Sequence, residues 1–298
     1  MRRPVTPAGL SRRSLVLFGT AALAACGRPA EEPKTAPEKA PAPKAGGMTL
    51  AEAVAGGWRS AQDKVRDPAR HPRETLEFFG LKPGMTVVEF WPGAGWYTDI
   101  LAPFVAATEG KLYAANLQPT DEASREVVNA FRRKLEADPD LYGEVEVTAF
   151  GPTSGPVAPA GSADMALFLR NLHNWMAAGV AEKAFRDAFQ ALKPGGILGV
   201  EEHRANAGGV QDPLAADGYV QQDYVVQLAR EAGFVLQAAS EINANPKDTK
   251  DHPFGVWTLP PVRRTSPRGQ PDDPAFDRSK YDAIGESDRM TLRFVKPA

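Results

Sequence analysis

The sequence predicts an alternating α/β domain on a mostly parallel sheet, and three observations carry that expectation. The first is Val87-Val88-Glu89-Phe90-Trp91-Pro92-Gly93-Ala94-Gly95-Trp96-Tyr97-Thr98, an apolar run that ends in an acid and two closely spaced glycines. A strand buried on both faces reads as a continuous apolar run, and a glycine turn followed by helical spacing delivers its end to a helix start. Tyr97, Ile100, Leu101 and Phe104 supply that spacing. Second, a Pro-Gly stop before an apolar strand occurs twice, at Leu81-Lys82-Pro83-Gly84 and at Lys193-Pro194-Gly195-Gly196, as an alternating fold requires. Third, residues 287–295 alternate polar and apolar, the pattern of an antiparallel edge strand.

The elements follow in order. Residues 48–66 place Leu50, Val54, Trp58 and Ala61 at helical spacing, which predicts one covering helix. Residues 71–80 predict another, with Pro72 in its first turn and Gly80 at its end. His71 reads as a cap or surface group. Trp91 precedes a proline, which favours extended backbone, so the first core strand is expected to run through it and Pro92-Gly93 to centre a type II turn. Residues 111–116 and 145–150 are strands. Between them Thr120 caps a helix with Val127, Phe131 and Leu135 on one face. Residues 163–169 form a fourth strand, ending in Arg170-Asn171-Leu172-His173-Asn174-Trp175. A helix bearing Ala181, Phe185, Ala188, Phe189 and Leu192 precedes strand 197–200, which ends in Glu201-Glu202-His203-Arg204. Adjacent strand residues point to opposite faces, so at most half of that last quartet can share a site. A helix over 219–232 and a strand over 234–242 lead into a long polar loop, 243–258. Loops of that length are usually functional or disordered, Phe254 and Trp257 argue against disorder, and the loop is read as a lid, with a surface insertion as the alternative.

Composition sets the limits. The 298 residues are 43% hydrophobic, enough for a large core, and hold one cysteine. Residues 1–26 combine a basic start, a short apolar run and Cys26, the pattern of an export signal and not of a membrane span, which needs about 20 apolar residues. Ser11-Arg12-Arg13-Ser14-Leu15-Val16-Leu17 resembles the twin-arginine motif, and Leu23-Ala24-Ala25-Cys26 a lipobox, which implies a lipid on Cys26. Residues 27–47 are rich in Pro, Ala, Lys and Glu and read as a disordered tether, leaving 48–298 as the domain. Without residues 1–26, which carry four arginines and no acid, 31 basic residues face 37 acidic ones, a balance that does not favour nucleic acid.

The first core unit resembles motif I of the class I S-adenosylmethionine-dependent methyltransferases, acid-x-Gly-x-Gly-x-Gly, with Glu89 as the acid and Gly93 and Gly95 as the last two glycines. Trp91 stands where the first glycine is usual. Asn116 stands where an acid usually holds the ribose hydroxyls. The chain is also similar to a group of bacterial lipoproteins classed by prediction as methyltransferases. Their Trp-Pro-Gly-x-Gly-Trp-Tyr turn, Arg-Asn-Leu-His segment and Asn-Pro-Lys-Asp-Thr-Lys-Asp-His-Pro loop are all matched. The resemblance implies a Rossmann-like sheet of seven strands with an antiparallel edge strand. It also implies S-adenosylmethionine as cofactor at Glu89, Trp91, Gly93, Gly95, Tyr97, Asn116, Arg170 and Asn171. His173 is the expected base where a methyl acceptor must lose a proton, with His203 or His252 in reserve.

Three function classes follow. The first is a methyltransferase of a small molecule, exported and lipid-anchored in the cell envelope. The second is a non-catalytic lipoprotein that reuses the pocket for another ligand, because S-adenosylmethionine is not expected to be regenerated outside the cytoplasm. The third, a metal-assisted enzyme built on Glu202, His203 and His252, has a spacing that fits no metal motif, so no metal site is expected.

Overall fold

Seven strands form one sheet in the order β3-β2-β1-β4-β5-β7-β6. They are β1 (Thr86–Phe90), β2 (Lys111–Leu117), β3 (Val145–Phe150), β4 (Ala163–Leu169), β5 (Leu192–His203), β6 (Val235–Ser240) and β7 (Arg289–Val295). All neighbours from β3 to β5 pair in parallel, and β7 pairs antiparallel with both β5 and β6. The expected α/β class and mostly parallel sheet are present. The antiparallel strand expected at the edge from residues 287–295 is β7, which lies one place in, with β6 forming the edge. The computed structural model describes residues 47–298. The export signal, Cys26 with its lipobox and nearly all of the tether lie outside the described residues. Among the described residues no helix is long and apolar enough to cross a membrane.

Helices cover both faces, which is why the central strands β1 and β4 are mostly apolar and buried. One side of the sheet sends Val87, Leu112, Met165 and Ile197 against α4 (Pro72–Phe79) and α5 (Thr98–Ala107), where Leu76, Phe79, Ile100, Leu101 and Phe104 complete the core. The other sends Val88, Phe90, Phe168, Leu198 and Leu292 against α8 (Leu172–Ala177), α9 (Ala181–Ala191) and α10 (Gln222–Glu231), through Trp175, Phe185 and Leu228. Each such side chain, once buried, contributes about 1.5–3 kcal/mol.

Local chemistry explains the departures from expectation. The single helix expected over 48–66 is broken into α1 (Leu50–Ala55) and α2 (Ala61–Lys64), with α3 (Asp67–Arg70) following. Gly56-Gly57 interrupts the first, and the Ser60 side chain, accepting from Asp63 N, starts the second anew. The cap of α6 (Glu122–Ala137) is Asp121, which exchanges hydrogen bonds with Ser124; Thr120 lies one residue outside. Val128, not Val127, joins Phe131 and Leu135 on the buried face. The short α7 (Pro139–Tyr142) then leads to β3. Lys193-Pro194-Gly195-Gly196 does not stop before the strand but lies within β5, where the pairing with β4 shifts register.

Candidate functional site

The carboxyl ends of β1, β2, β4 and β5 meet the amino end of β7, and the candidate residues gather there in three groups. The first is the turn after β1. Trp91 is not extended, as its proline neighbour suggested: its φ is 47°, a left-handed value that costs a non-glycine residue about 1–2 kcal/mol. Three contacts hold it there. Its N–H donates to Ala115 O (2.9 Å), its indole Nε1 to Phe150 O (3.0 Å), and its carbonyl accepts from Asn171 Nδ2 (2.9 Å). The indole leans on Trp175 and Phe150 at the end of β3. The turn closes one residue later than expected, from Gly95 N to Pro92 O, with Gly93 and Ala94 at its centre. Gly93 has φ 60° and a Cβ there would meet nothing within 4 Å, so the space above the turn is open. At Gly95, φ 88°, a Cβ would lie 2.9 Å from Lys134 Nζ, which itself donates to Ala94 O and Asp99 and staples the turn to α6. Among the described residues no side chain caps the start of α5.

Glu89 and Asn116 flank that turn from below. Glu89 is buried and accepts from Thr98 Oγ1 at 2.7 Å; loss of water lifts its pKa to about 7, against the pull of that hydrogen bond. Asn116, also buried, follows the Phe90–Ala115 pair of the sheet. Its Oδ1 accepts from Leu117 N (2.7 Å), which fixes the amide, and its Nδ2 has no hydrogen-bond partner among the described residues.

The second group is a buried ion network. Arg289 lies 2.7 Å from Glu201 and 3.1 Å from Glu286, which also pairs with Arg70 (2.9 Å) and Arg170 (3.5 Å). Tyr97, expected at the cofactor, sends its hydroxyl to Glu201 (3.0 Å) instead. Arg170, φ 64°, is likewise held within the network, and burial together with Arg70 lowers its pKa to about 10. Asn171 spends its amide on the carbonyls of Trp91 and Leu169, so it braces the turn.

The third group joins His173 and His203, the two expected catalytic residues. Their rings are 5.1 Å apart, and both are 5% exposed. His173 Nδ1 lies 2.9 Å from Glu202 Oε1, and His203 Nδ1 lies 2.6 Å from Ser287 Oγ. Burial, reinforced by Arg170, holds the His203 pKa well below the ordinary imidazole value, so this ring is neutral near pH 7. Strand alternation would have parted Glu202 from His203. They share a cluster because the Glu202 carboxylate turns back to accept His203 N (2.7 Å). His252 stands apart, with Asp248 (2.8 Å) and Tyr219. Ser287, Glu286 and Arg289 are not expected partners, because their contacts with His203, Arg70 and Glu201 cross the fold; Asp248 meets His252 four residues on, a local spacing the sequence does contain.

The loop 243–258 is a packed cover. Asn243 Nδ2 donates to Thr75 Oγ1 (2.9 Å) and Thr291 Oγ1 (3.0 Å), and Asp248 accepts from Asp288 N (2.8 Å). Because Asn243 is 2% exposed, Asn243→Ala strands two buried hydroxyls and should lower stability by about 2 kcal/mol in urea denaturation. A loss within experimental error would mean the cover is not held there.

No family profile and no curated protein match the chain. Among solved structures, it resembles a provisionally assigned sarcosine dimethylglycine methyltransferase from Galdieria sulphuraria, at 13% identity and a TM-score of 0.52, over 80% of this chain and 87% of that one. It resembles the [4+2]-cyclase SpnF at 18% identity and a TM-score of 0.50, over 84% and 92%. A SAM-dependent methyltransferase from Aquifex aeolicus matches at 22% identity and a TM-score of 0.49, over 66% and 94%. At such identities the first two likenesses establish the fold alone: the chain has the Rossmann-like architecture that those two solved structures share.

Proposed function

We propose that this chain is an S-adenosylmethionine-dependent methyltransferase of a small molecule, exported by the twin-arginine route and held at a membrane of the cell envelope by a lipid on Cys26. The observation that carries the reading is the Asn116 amide: a buried N–H donor with no acceptor among the described residues, beside a glycine turn with open space above it and a helix start that none of them caps. An unmade buried hydrogen bond costs about 1–3 kcal/mol, which a ligand hydroxyl accepting from Nδ2 recovers. These residues fit the cofactor: Glu89, Trp91, Gly93, Gly95 and Asn116 would hold it, and it would supply an activated methyl group. The chain's own task is to position the acceptor and exclude water, with the His173–Glu202 pair taking a proton where the acceptor must lose one. The Galdieria methyltransferase among the structural neighbours supports this reading; the cyclase shows that the fold also carries another reaction name.

A second reading, a binding protein without turnover, is favoured by the enclosure of His173, Tyr97 and Arg170 in internal contacts. Calorimetry on the full chain with S-adenosylmethionine and S-adenosylhomocysteine tests the shared premise. Both should bind, and Asn116→Ala should weaken them about fivefold, the equivalent of about 1 kcal/mol. Absence of binding by the unaltered chain would end both the methyltransferase assignment and its cofactor, leaving the fold. Binding without methyl transfer to any offered acceptor would favour the second reading.

A further inference from the structure

We propose that His173, Glu202 and His203 form a site for one divalent transition-metal ion of the zinc class. One nitrogen of each imidazole and one oxygen of the carboxylate lie within 4.8 Å of one another. Ligands about 2.0–2.1 Å from a tetrahedral ion stand about 3.3 Å apart, so small side-chain rotations complete the geometry. All three residues are buried, and they come from stiff parts of the fold: His173 from the first turn of α8, Glu202 and His203 from the last two positions of β5.

Two further features distinguish this from a chance meeting of polar groups. Ser287 engages Nδ1 of His203 at 2.6 Å, which orients that ring and leaves Nε2 for a ligand, as the outer partners of metal-bound histidines do. His173 Nδ1 and Glu202 Oε1 already lie 2.9 Å apart, near the separation of two ligands on one ion. The donor set selects the ion: two imidazoles with one carboxylate suit zinc and its first-row neighbours, whereas magnesium and calcium favour oxygen-rich shells. Three protein ligands also leave a position for water or a substrate oxygen. Trp257, its ring 5.9 Å from His173, and Tyr219, 6.4 Å from His203, wall that side. Tyr219 also lines a cavity of about 220 Å³ with Gln211, Asp217 and Lys250. The set differs from the trio considered on sequence grounds: His173, distant in the chain, takes the place of His252, which is paired with Asp248.

This site does not depend on the adenosyl cofactor, and its test omits that ligand; an ion bound here takes the place of the proton-accepting role given above to His173 and Glu202. The full chain, stripped with chelator, is titrated with Zn²⁺ by calorimetry and with Co²⁺ by visible absorption. The expected result is one ion per chain, cobalt d–d bands of a four- or five-coordinate site, and a melting temperature higher by about 4 °C or more in saturating zinc. His203→Ala should weaken binding at least about a hundredfold, and Ser287→Ala, which removes only the outer partner, about tenfold. Glu146→Ala, on β3 at the opposite edge of the sheet, should bind as the unaltered chain does. Because Glu202→Gln alters a fully buried group and can fail to fold, the decisive comparison is between the unaltered chain and Ser287→Ala. No stoichiometric binding by the unaltered chain, or an affinity unchanged in Ser287→Ala or in His203→Ala, would overturn the site.

Discussion

Replacing Arg289 with methionine is expected to lower the unfolding free energy by about 3–5 kcal/mol, the cost of stranding a buried charge. Arg289 is 1% exposed and stands between Glu201, which is fully buried, and Glu286. Its Nε approaches Glu201 Oε1 at 2.7 Å without the alignment of a hydrogen bond, so the contact is chiefly one of charge. Methionine fills much of the same volume and supplies no charge, leaving the Glu201 carboxylate one hydrogen-bond partner among the described residues, the Tyr97 hydroxyl. The double variant Arg289→Met/Glu201→Gln removes both charges and should recover most of the loss, because an ion pair replaced as a unit is often nearly neutral. Urea denaturation of the two variants measures this. A single-variant loss below about 1 kcal/mol, or no recovery in the double variant, would show that the network does not hold the ends of β5 and β7 together.

The sequence made the local units of this fold legible and left the long-range chemistry unreadable. Val87 to Thr98 announces strand, turn and helix because both faces of the strand are covered and the glycines accept positive φ. The same local logic fails at Trp91. A proline neighbour favours extended backbone, but a carbonyl at the end of β3, a carbonyl of β2 and the Asn171 amide hold the residue left-handed. Such strain persists where surrounding contacts over-determine it. His173 and His203 were each legible as residues at strand ends. The meeting of His203 with Ser287 was not, because these partners lie 84 positions apart in the chain. Tyr97 and Arg170 were assigned to the cofactor by their place near the turn and β4; the direction of their side chains depends on Glu201 and Glu286, which no motif marks.

Glu89→Gln is expected to stabilise the protein by about 3 kcal/mol above neutrality and to leave it nearly unchanged in acid. Burial raises the Glu89 pKa from 4.5 to about 7, so between those values the folded state keeps a proton that the unfolded state has lost. Stability therefore falls as pH rises through that window and levels off above it, where both states are ionised. Glutamine keeps an oxygen to accept from Thr98 Oγ1 and never carries the charge. The difference between variant and parent should thus grow from about pH 4.5 to about 7 and then stay constant, as read from urea denaturation across that range. A difference independent of pH would mean that Glu89 is not desolvated as its position implies. Packing alone does not require an acid there, since glutamine has nearly the same shape. The charge has a use if the turn receives a cation, as the sulfonium cofactor is. The variant that gains stability should then bind S-adenosylmethionine more weakly than the parent, and S-adenosylhomocysteine, whose sulfur is uncharged, nearly as well. Equal weakening of both ligands would assign the acid to the shape of the turn and not to the charge it faces.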